Sequence, residues 1–139
     1  MIIADAGFWI ALLHRDDRWH PRARTCYEAL TERLITTWPV LTEACHFLQR
    51  RVGEAAKQGL LDALGDGAYE VFQLEARHAP HVVELMRRYT ALPMDLADAS
   101  LVVLAEHLGH GRILSTDLRD FGTYRWKNRE PFSNLLMPE

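Results

Sequence analysis

Short apolar runs alternate with longer segments of helical apolar spacing along the chain. The strand candidates are residues 1–5, 34–37, 69–74 and 112–115, with 123–126 as a short fifth. The helix candidates are residues 6–13, 21–32, 37–51, 54–64, 76–89 and 95–108. Because parallel strands are joined by helical crossovers that cover the faces of a sheet, this alternation predicts an α/β fold around a mostly parallel sheet of about five strands.

Four acidic residues occupy positions that solubility does not explain: Asp5, Glu43, Asp98 and Asp117. Asp5 and Asp117 follow strand candidates. Glu43 and Asp98 interrupt apolar helices that start at the same edge of the sheet, and ligands of such folds bind in the crevice beyond the carboxyl ends of the strands. A buried carboxylate is costly unless it is paired, hydrogen-bonded or bound to metal. The four acids therefore predict a shared site for a hard divalent cation.

Each acid also has a structural alternative. Asp5 is placed to cap the helix that begins at Ala6. Asp95 and Asp98 together resemble a capping box ahead of an apolar run. Asp98 nevertheless shares a helix face with Leu101 through its i+3 spacing, which a pure capping residue does not require. We therefore interpret Asp95 as the cap and Asp98 as the functional acid.

The other two acids are equally ambiguous when each is taken alone. Glu43 lies at the margin of the apolar stripe of its helix, a position that is typical of a solvated residue. Asp117 or Asp120 is placed to cap a short turn, so Asp120 is open as an auxiliary acid or a surface residue. The prediction of a site rests on the combination of the acids rather than on any one of them.

Length and composition are typical of one globular domain over residues 1–139, with 48% hydrophobic and 25% charged residues. No apolar stretch approaches the roughly 20 residues of a membrane span, and the N-terminus carries no basic leader. We therefore expect a cytoplasmic protein that does not enter a membrane. Cys26 and Cys45 lie in helix candidates without CxxC spacing, which favours buried free thiols over a disulfide or a zinc site.

The formal net charge of -3 argues against a protein that coats nucleic acid through bulk positive charge, but it does not exclude a nucleic-acid enzyme. Basic side chains near the expected edge of the site are candidates to hold phosphates, with a solvated surface as the alternative: Arg112, Arg119, Arg125, Lys127 and Arg129. Trp38 and Trp126 are candidates to stack on bases, with core packing as the alternative.

The four acids stand in segments that occur in a specific order. These segments are residues 2–7 around Asp5, 36–43 ending in Glu43, 96–101 around Asp98 and 113–121 around Asp117. Any one of them is a weak signal, whereas four in this order and at these separations are specific. Together they resemble the PIN domain family, and more narrowly its VapC-type toxin ribonucleases, over nearly the whole chain.

The resemblance implies a three-layer α/β/α sandwich and a Mg²⁺- or Mn²⁺-dependent endoribonuclease of a toxin–antitoxin system. The residues that fall on the family's catalytic and metal-binding positions are Asp5, Glu43, Asp98 and Asp117. Ligands that offer only oxygen favour these two cations over zinc or copper. We expect Asp5 and Asp98 to be the main ligands, with the other two acids completing the shell or positioning a second ion. The expected products are a 5′-phosphate and a 3′-hydroxyl.

Two departures from the family pattern concern hydroxyl groups. Relatives often carry Ser or Thr directly after the first Asp, where this chain has Ala6 and Gly7. Ser115 takes the usual Thr position two residues before the fourth acid, so a hydroxyl is retained there. The sequence leaves open whether Ser115 or Asp120 contributes to the site.

The resemblance also implies partners. These are an RNA substrate, with a single-stranded or loop region as the best candidate because its bases are free to stack, a cognate antitoxin that covers the cleft, and a second copy of the chain in a homodimer. The alternative from another class is a non-catalytic module of the same fold that acts through a protein partner. A metal-free ribonuclease would instead use a histidine pair such as His78 and His81 and would keep its activity in chelator.

Overall fold

The computed structural model describes residues 1–138 and is built around a parallel β-sheet. The strands are, in chain order, β1 (Ile2–Ala4), β2 (Leu34–Thr37), β3 (Glu70–Phe72), β4 (Arg112–Leu114), β5 (Arg125–Trp126), β6 (Glu130–Pro131) and β7 (Ser133–Asn134). Five of them form the central sheet in the order β3-β2-β1-β4-β7, with every neighbouring pair parallel. All residues of β1 and β2 are buried although successive side chains point to opposite faces, so both faces of the sheet are covered.

Within residues 1–138, seven α-helices connect and cover the strands. They are α1 (Ala6–Leu13), α2 (His20–Ala29), α3 (Trp38–Arg51), α4 (Glu54–Gly65), α5 (Ala79–Arg88), α6 (Leu96–Leu108) and α7 (Leu118–Thr123), with a 3-10 turn (Ala76–His78) ahead of α5. The side chains of Asp5, Thr37, Asp95 and Asp117 cap α1, α3, α6 and α7. The predicted α/β fold with a mostly parallel sheet of about five strands is confirmed.

Strand register determines which residues meet at the carboxyl edge of the sheet. Ala4 at the end of β1 is paired with Leu114 at the end of β4. The backbone N–H of Asp5 then donates to the carbonyl oxygen of Leu114 at 3.1 Å. Asp5 and the segment 115–117 therefore leave the sheet side by side, as expected where two parallel strands end at one edge.

The fifth strand of the sheet differs from the prediction. The sequence pattern predicts a short fifth strand over residues 123–126, and the structure has a strand there at Arg125–Trp126, but this β5 pairs antiparallel with β6 outside the central sheet. The fifth strand is β7, which joins the free edge of β4. The Ser133 N–H donates to the Gly111 carbonyl and the Leu135 N–H donates to the Ile113 carbonyl, both at 2.8 Å. Because β7 is held by backbone hydrogen bonds, its sequence needs no apolar run, and none is present to predict a strand there.

The core lies between the sheet and its helices. Ile3, Leu101 and Ile113 are among its fully buried side chains, drawn from β1, α6 and β4. Cys26 and Cys45 are free thiols, each partly buried, which agrees with the predicted absence of a disulfide. Within residues 1–138, no helix has the length and apolar character needed to span a membrane.

Candidate active site

A cavity of about 270 Å³ lies at the carboxyl edge of the sheet and gathers acids from four parts of the chain. The acids that line it are Asp5, Glu43, Asp95, Asp98, Asp117 and Asp120. The four acids predicted from the sequence thus share one cavity. Asp95 was predicted only as a cap and Asp120 only as one of two alternatives, and both line the same space. Six carboxyl groups therefore face one small volume.

Asp5 is held rigidly at the end of β1. Its Oδ1 accepts a hydrogen bond from the Ala6 N–H at 2.7 Å, which caps α1. Its Oδ2 accepts one from the Ser115 hydroxyl at 2.8 Å. With only 6% of the residue exposed, burial raises the pKa of Asp5 to about 6, although these two hydrogen bonds oppose the rise. The capping role and the position in the cavity belong to the same side chain.

Ser115 connects the two strand-end acids without lining the cavity. Its fully buried hydroxyl donates to Asp5 and accepts the Asp117 N–H at 2.9 Å. Asn134 of β7 fixes Ser115 in turn, because its side chain accepts from the Ser115 N–H at 3.2 Å and donates to the Ser115 carbonyl at 2.9 Å. Asn134 could not be found from the sequence, since its contact with Ser115 depends on the pairing of β7 with β4.

Asp95 and Asp98 combine capping with exposure to the cavity. The Asp98 N–H donates to Asp95 Oδ1 at 2.8 Å, and the Asp95 N–H donates to Asp98 Oδ2 at 3.4 Å, which completes a reciprocal capping box. Burial, followed by the negative charges of Asp95 and Asp5, raises the pKa of Asp98 to about 8. Two acids three positions apart on the first turn of α6 thus present two carboxyl groups to one site.

Glu43 reaches the cavity from the second turn of α3. The start of this helix is fixed by Thr37, whose Oγ1 accepts from the Val40 N–H at 3.4 Å and lies 2.6 Å from the hydroxyl of Ser100 on α6. This contact ties α3 to the helix that carries Asp98. Burial is the largest cause that raises the pKa of Glu43 to about 7, and the neighbouring acids add to it.

The fourth acid lies at the start of α7. Asp117 Oδ1 accepts the Asp120 N–H at 2.9 Å and caps the helix. Asp120 Oδ1 is buried without a hydrogen-bond partner, although Arg119 Nε lies 3.7 Å from it. Burial and the adjacent Asp117 raise the pKa of Asp120 to about 6. An unpartnered buried oxygen in this position is unfavourable unless a cation or a donor occupies the cavity.

Gly7 is required by a close approach beside these acids. A Cβ atom built on Gly7 would lie 2.0 Å from the Thr116 hydroxyl oxygen, which is far inside van der Waals contact. Thr116 itself lines the cavity. Ala6 and Gly7 carry no hydroxyl, and Thr116 contributes a side chain to the cavity lining from the loop after β4.

The chemistry of the donor set fits a hard cation. All six acids offer oxygen, which is the ligand type of Mg²⁺ and Mn²⁺, and bound positive charge would offset the burial and repulsion that raise the pKa values of Asp5, Glu43, Asp98 and Asp120. The unpartnered Asp120 Oδ1 adds an oxygen that lacks a donor. The oxygen chemistry fits, but within residues 1–138 no three or more His, Cys, Asp or Glu side chains are already close enough together to hold an ion, so binding would require the cavity acids to draw together around it.

Other candidates from the sequence lie elsewhere. Arg112 was expected near the site, and this is wrong, because it begins β4 at the opposite edge of the sheet and pairs with Glu32. Arg125 directs its guanidinium to the backbone carbonyls of residues 122–124. His81 is bonded to Glu106 at 2.7 Å and is not part of the cavity lining.

Comparison with known proteins defines the class of this chain. The profile of the PIN domain matches residues 2–126, and the chain therefore belongs to the PIN domain family. It is 26% identical over 124 residues to ribonuclease VapC26 of Mycobacterium tuberculosis (strain H37Rv), an alignment that covers 89% of this chain and 92% of that protein. The crystal structure of Mycobacterium tuberculosis VapC20, a sarcin-ricin loop cleaving toxin, has the same fold, with a TM-score of 0.80 and 21% identity over 86% of this chain and 92% of that one.

Proposed function

We propose that this chain is a divalent-metal-dependent endoribonuclease and the toxin of a toxin–antitoxin pair. The observation that carries the proposal is the single cavity in which Asp5, Glu43, Asp98 and Asp117 meet. Family membership and the similarity to a VapC ribonuclease support RNA as the substrate. Residues 1–139 act together as one catalytic domain in this proposal, and the site of action is the cytoplasm, where the RNA is.

The four predicted acids and Ser115 each have a part in the proposed reaction. Asp5 and Asp98 are the principal metal ligands, and Glu43 and Asp117 complete the shell directly or through water. Ser115 holds two of these acids in position through its hydrogen bonds to the Asp5 carboxylate and the Asp117 N–H. Bound Mg²⁺ or Mn²⁺ supplies the Lewis acid that activates water and stabilises charge on a phosphodiester. The products are a 5′-phosphate and a 3′-hydroxyl.

The proposed substrate is a single-stranded or loop region of RNA. Unpaired bases are open to stacking and hydrogen bonding, whereas the deep, narrow major groove of an RNA helix hides them. The proposed protein partners are a cognate antitoxin that covers the cleft and a second copy of the chain.

The test is cleavage of a panel of structured RNAs by purified protein freed of any partner. The panel includes transfer RNA, messenger RNA and a ribosomal loop, each incubated with Mg²⁺, Mn²⁺ or EDTA. Asp5→Asn and Asp98→Asn are the site variants, and Glu32→Gln, at the opposite edge of the sheet, is the matched control. Cuts that need metal, are lost in both folded site variants and persist in the control support the proposal.

Two outcomes contradict it. Cutting that survives EDTA would move the chemistry to histidines or to a contaminant. A folded protein that binds Mn²⁺ and cuts no RNA in the panel would favour the non-catalytic module of the same fold.

A further inference from the structure

A second groove, of about 590 Å³, opens beside the acidic cavity. Glu43 and Asp95 line both spaces, so the groove and the cavity are continuous. The remaining surface of the groove is largely apolar and includes two large exposed side chains, Trp38 at 45% and Leu96 at 48%. Large apolar groups that remain exposed beside a polar site are typical of a ligand-binding surface.

Trp38 differs from the other tryptophans of the chain. Trp9 is in the core with 3% of its surface exposed. Trp126 donates its Nε1 hydrogen to the Pro131 carbonyl at 3.1 Å and fills the space beside Gly111, where a Cβ would lie 2.6 Å from its ring. Arg18 covers Trp19 at 4.5 Å from the ring centroid. Packing thus accounts for the other three rings, whereas the Trp38 ring borders open grooves.

The far side of Trp38 faces another groove, of about 380 Å³, between α3 and α4. Trp38 and His46 line both the 590 Å³ and the 380 Å³ groove, and Lys57 lines only the 380 Å³ groove. The Lys57 ammonium is 2.8 Å from the Glu54 carboxylate and 3.2 Å from Gln49 Oε1, so it is held in place at the surface. Trp38 thus borders two grooves, one that shares carboxylates with the acidic cavity and one that carries Lys57 beside Gln49.

We propose that Trp38 is the stacking platform for an unpaired nucleobase of the RNA next to the phosphate that is cleaved. In this proposal the scissile phosphate would lie at the acidic cavity, with a bound cation between phosphate and acids, and Trp38 takes the adjacent base in the groove that shares Glu43 and Asp95 with that cavity. Leu96 packs against the same base from α6, and His46 lies within the groove to meet a polar edge of the base. This inference rests on the proposed nuclease function and adds the position of a base subsite to it.

A nucleobase suits the groove better than an apolar peptide does. Every base has a π-face that stacks on an aromatic side chain irrespective of sequence. The groove shares Glu43 and Asp95 with the acidic cavity, so a chain that places a phosphate at the cavity brings its neighbouring base to the Trp38 ring, whereas an apolar peptide has no group that uses the acids. Trp38 is the first residue of α3 and is half exposed, so its substitution leaves the core intact.

The test measures RNA binding separately from cleavage. Fluorescence anisotropy of a labelled, mixed-sequence single-stranded RNA dodecamer with Ca²⁺, a hard cation that also takes oxygen ligands, gives Kd for wild type, Trp38→Ala, Trp38→Phe and the matched control Trp126→Phe, and gel electrophoresis confirms that the RNA stays intact. Loss of one base–aromatic stack predicts a rise in Kd of about tenfold for Trp38→Ala. Trp38→Phe keeps an aromatic face and stays within about threefold of wild type, and Trp126→Phe is unchanged. In cleavage assays with metal, Trp38→Ala raises KM more than it lowers kcat.

Failure of the subsite and failure of the nuclease give different results. If the wild type cuts RNA and Trp38→Ala changes neither Kd nor KM, the subsite is overturned and the nuclease stands. If the wild type binds RNA through Trp38 but cuts none, the subsite stands without the nuclease. Wild-type protein that binds no RNA overturns the subsite. A change in oligomeric mass by light scattering in Trp38→Ala, at unchanged RNA affinity, overturns it in favour of an interface with a second copy.

Discussion

Acidic side chains at the amino ends of the central strands form ion pairs with positively charged groups of the protein, whereas those at the carboxyl ends face one another. At the amino end, Arg112 forms a bidentate salt bridge with Glu32, with 2.9 Å between Nη2 and Oε1. The N-terminal ammonium lies 3.4 Å from the same carboxylate. These partners lower the pKa of Glu32 to about 2, with the Arg112 hydrogen bond as the largest cause. Arg33 pairs with Glu70 at 2.9 Å at the same end.

At the carboxyl end, the same type of side chain has the opposite environment. Within residues 1–138, the only ion pair made by the six cavity acids joins Asp120 to Arg119. Burial and mutual repulsion raise the pKa values of Asp5, Glu43 and Asp98 to about 6, 7 and 8. Acids with strongly shifted pKa values cluster at functional sites, while acids in ion pairs are typical of structural positions. The two ends of one sheet therefore show which carboxylates to test for catalysis.

Neutralising acids at the two ends should produce the largest difference. Asp117→Asn and Glu43→Gln each remove a charge from the cavity, and we expect RNA cleavage to fall by about 100-fold or more. Glu32→Gln removes a charge of the same sign at the far edge and should leave cleavage within about twofold. The measurement is the initial rate of cleavage of one defined RNA with Mn²⁺, after circular dichroism has shown that each variant is folded. Equal losses at both ends would remove the functional distinction between them.

Removing the link between the two strand-end acids should cost less. Ser115→Ala deletes the hydroxyl that binds the Asp5 carboxylate and the Asp117 N–H. Residues that orient metal ligands typically contribute 10- to 100-fold, so we expect cleavage to fall by about tenfold. Because that hydrogen bond favours the ionised form of Asp5, the acidic limb of the pH–rate profile should also move to higher pH.

Ser115→Thr is the matched control, because it keeps the hydroxyl. We expect it to retain most of the activity and the wild-type pH profile. An unchanged profile in Ser115→Ala would show that the hydroxyl does not act on Asp5.

Local signals made most of the fold predictable. The helix over residues 6–13 follows a short apolar run and a capping Asp, and the structure has it at the same bounds. The fifth strand of the central sheet was not predicted, because β7 is only two residues long, Ser133–Asn134, and is held by backbone pairing to β4. A strand defined by its neighbours has no periodicity of its own to detect.

The candidate site was predictable to the extent that its acids interrupt apolar patterns. Asp5, Glu43, Asp98 and Asp117 do so, and the structure places all four in one cavity. Asp95 was missed as a lining residue because its capping role was a sufficient explanation in the sequence. A cap at the first turn of a helix and a cavity at the edge of a sheet occupy the same place, so one carboxylate serves both.

The acids at the carboxyl end should make the Tm of the protein depend on pH by several degrees, in the opposite sense to Glu32 at the amino end. Between its ordinary pKa of 3.8 and about 8, Asp98 in the folded metal-free protein keeps a proton that the unfolded chain has lost. Unfolding then releases protons, and stability falls as pH rises through this window. We expect the Tm of metal-free protein to fall by about 3–6 °C between pH 5 and pH 8, and Asp98→Asn to reduce that fall.

Added Mg²⁺ or Mn²⁺ at pH 8 should restore the Tm of the wild type, because ligand binding to the folded state stabilises it. The Asp98→Asn variant should respond less. Differential scanning fluorimetry in EDTA and in each cation measures both effects. A Tm that rises with pH in EDTA would contradict the raised pKa values of the cavity acids.

The smallest effect is expected at the amino end, and its pH dependence has the opposite sign. The folded-state pKa of Glu32 lies below its ordinary value of 4.5, at about 2. Its contribution to stability is therefore present above pH 4.5 and is lost as the pH falls towards 2. Because this pair is exposed and screened by salt, Glu32→Gln should lower the Tm by roughly 1–4 °C at low ionic strength and by less in 1 M NaCl. Thermal scans of the variant and the wild type at both salt concentrations measure the difference, and a loss that salt does not reduce would show that Glu32 acts through packing rather than charge.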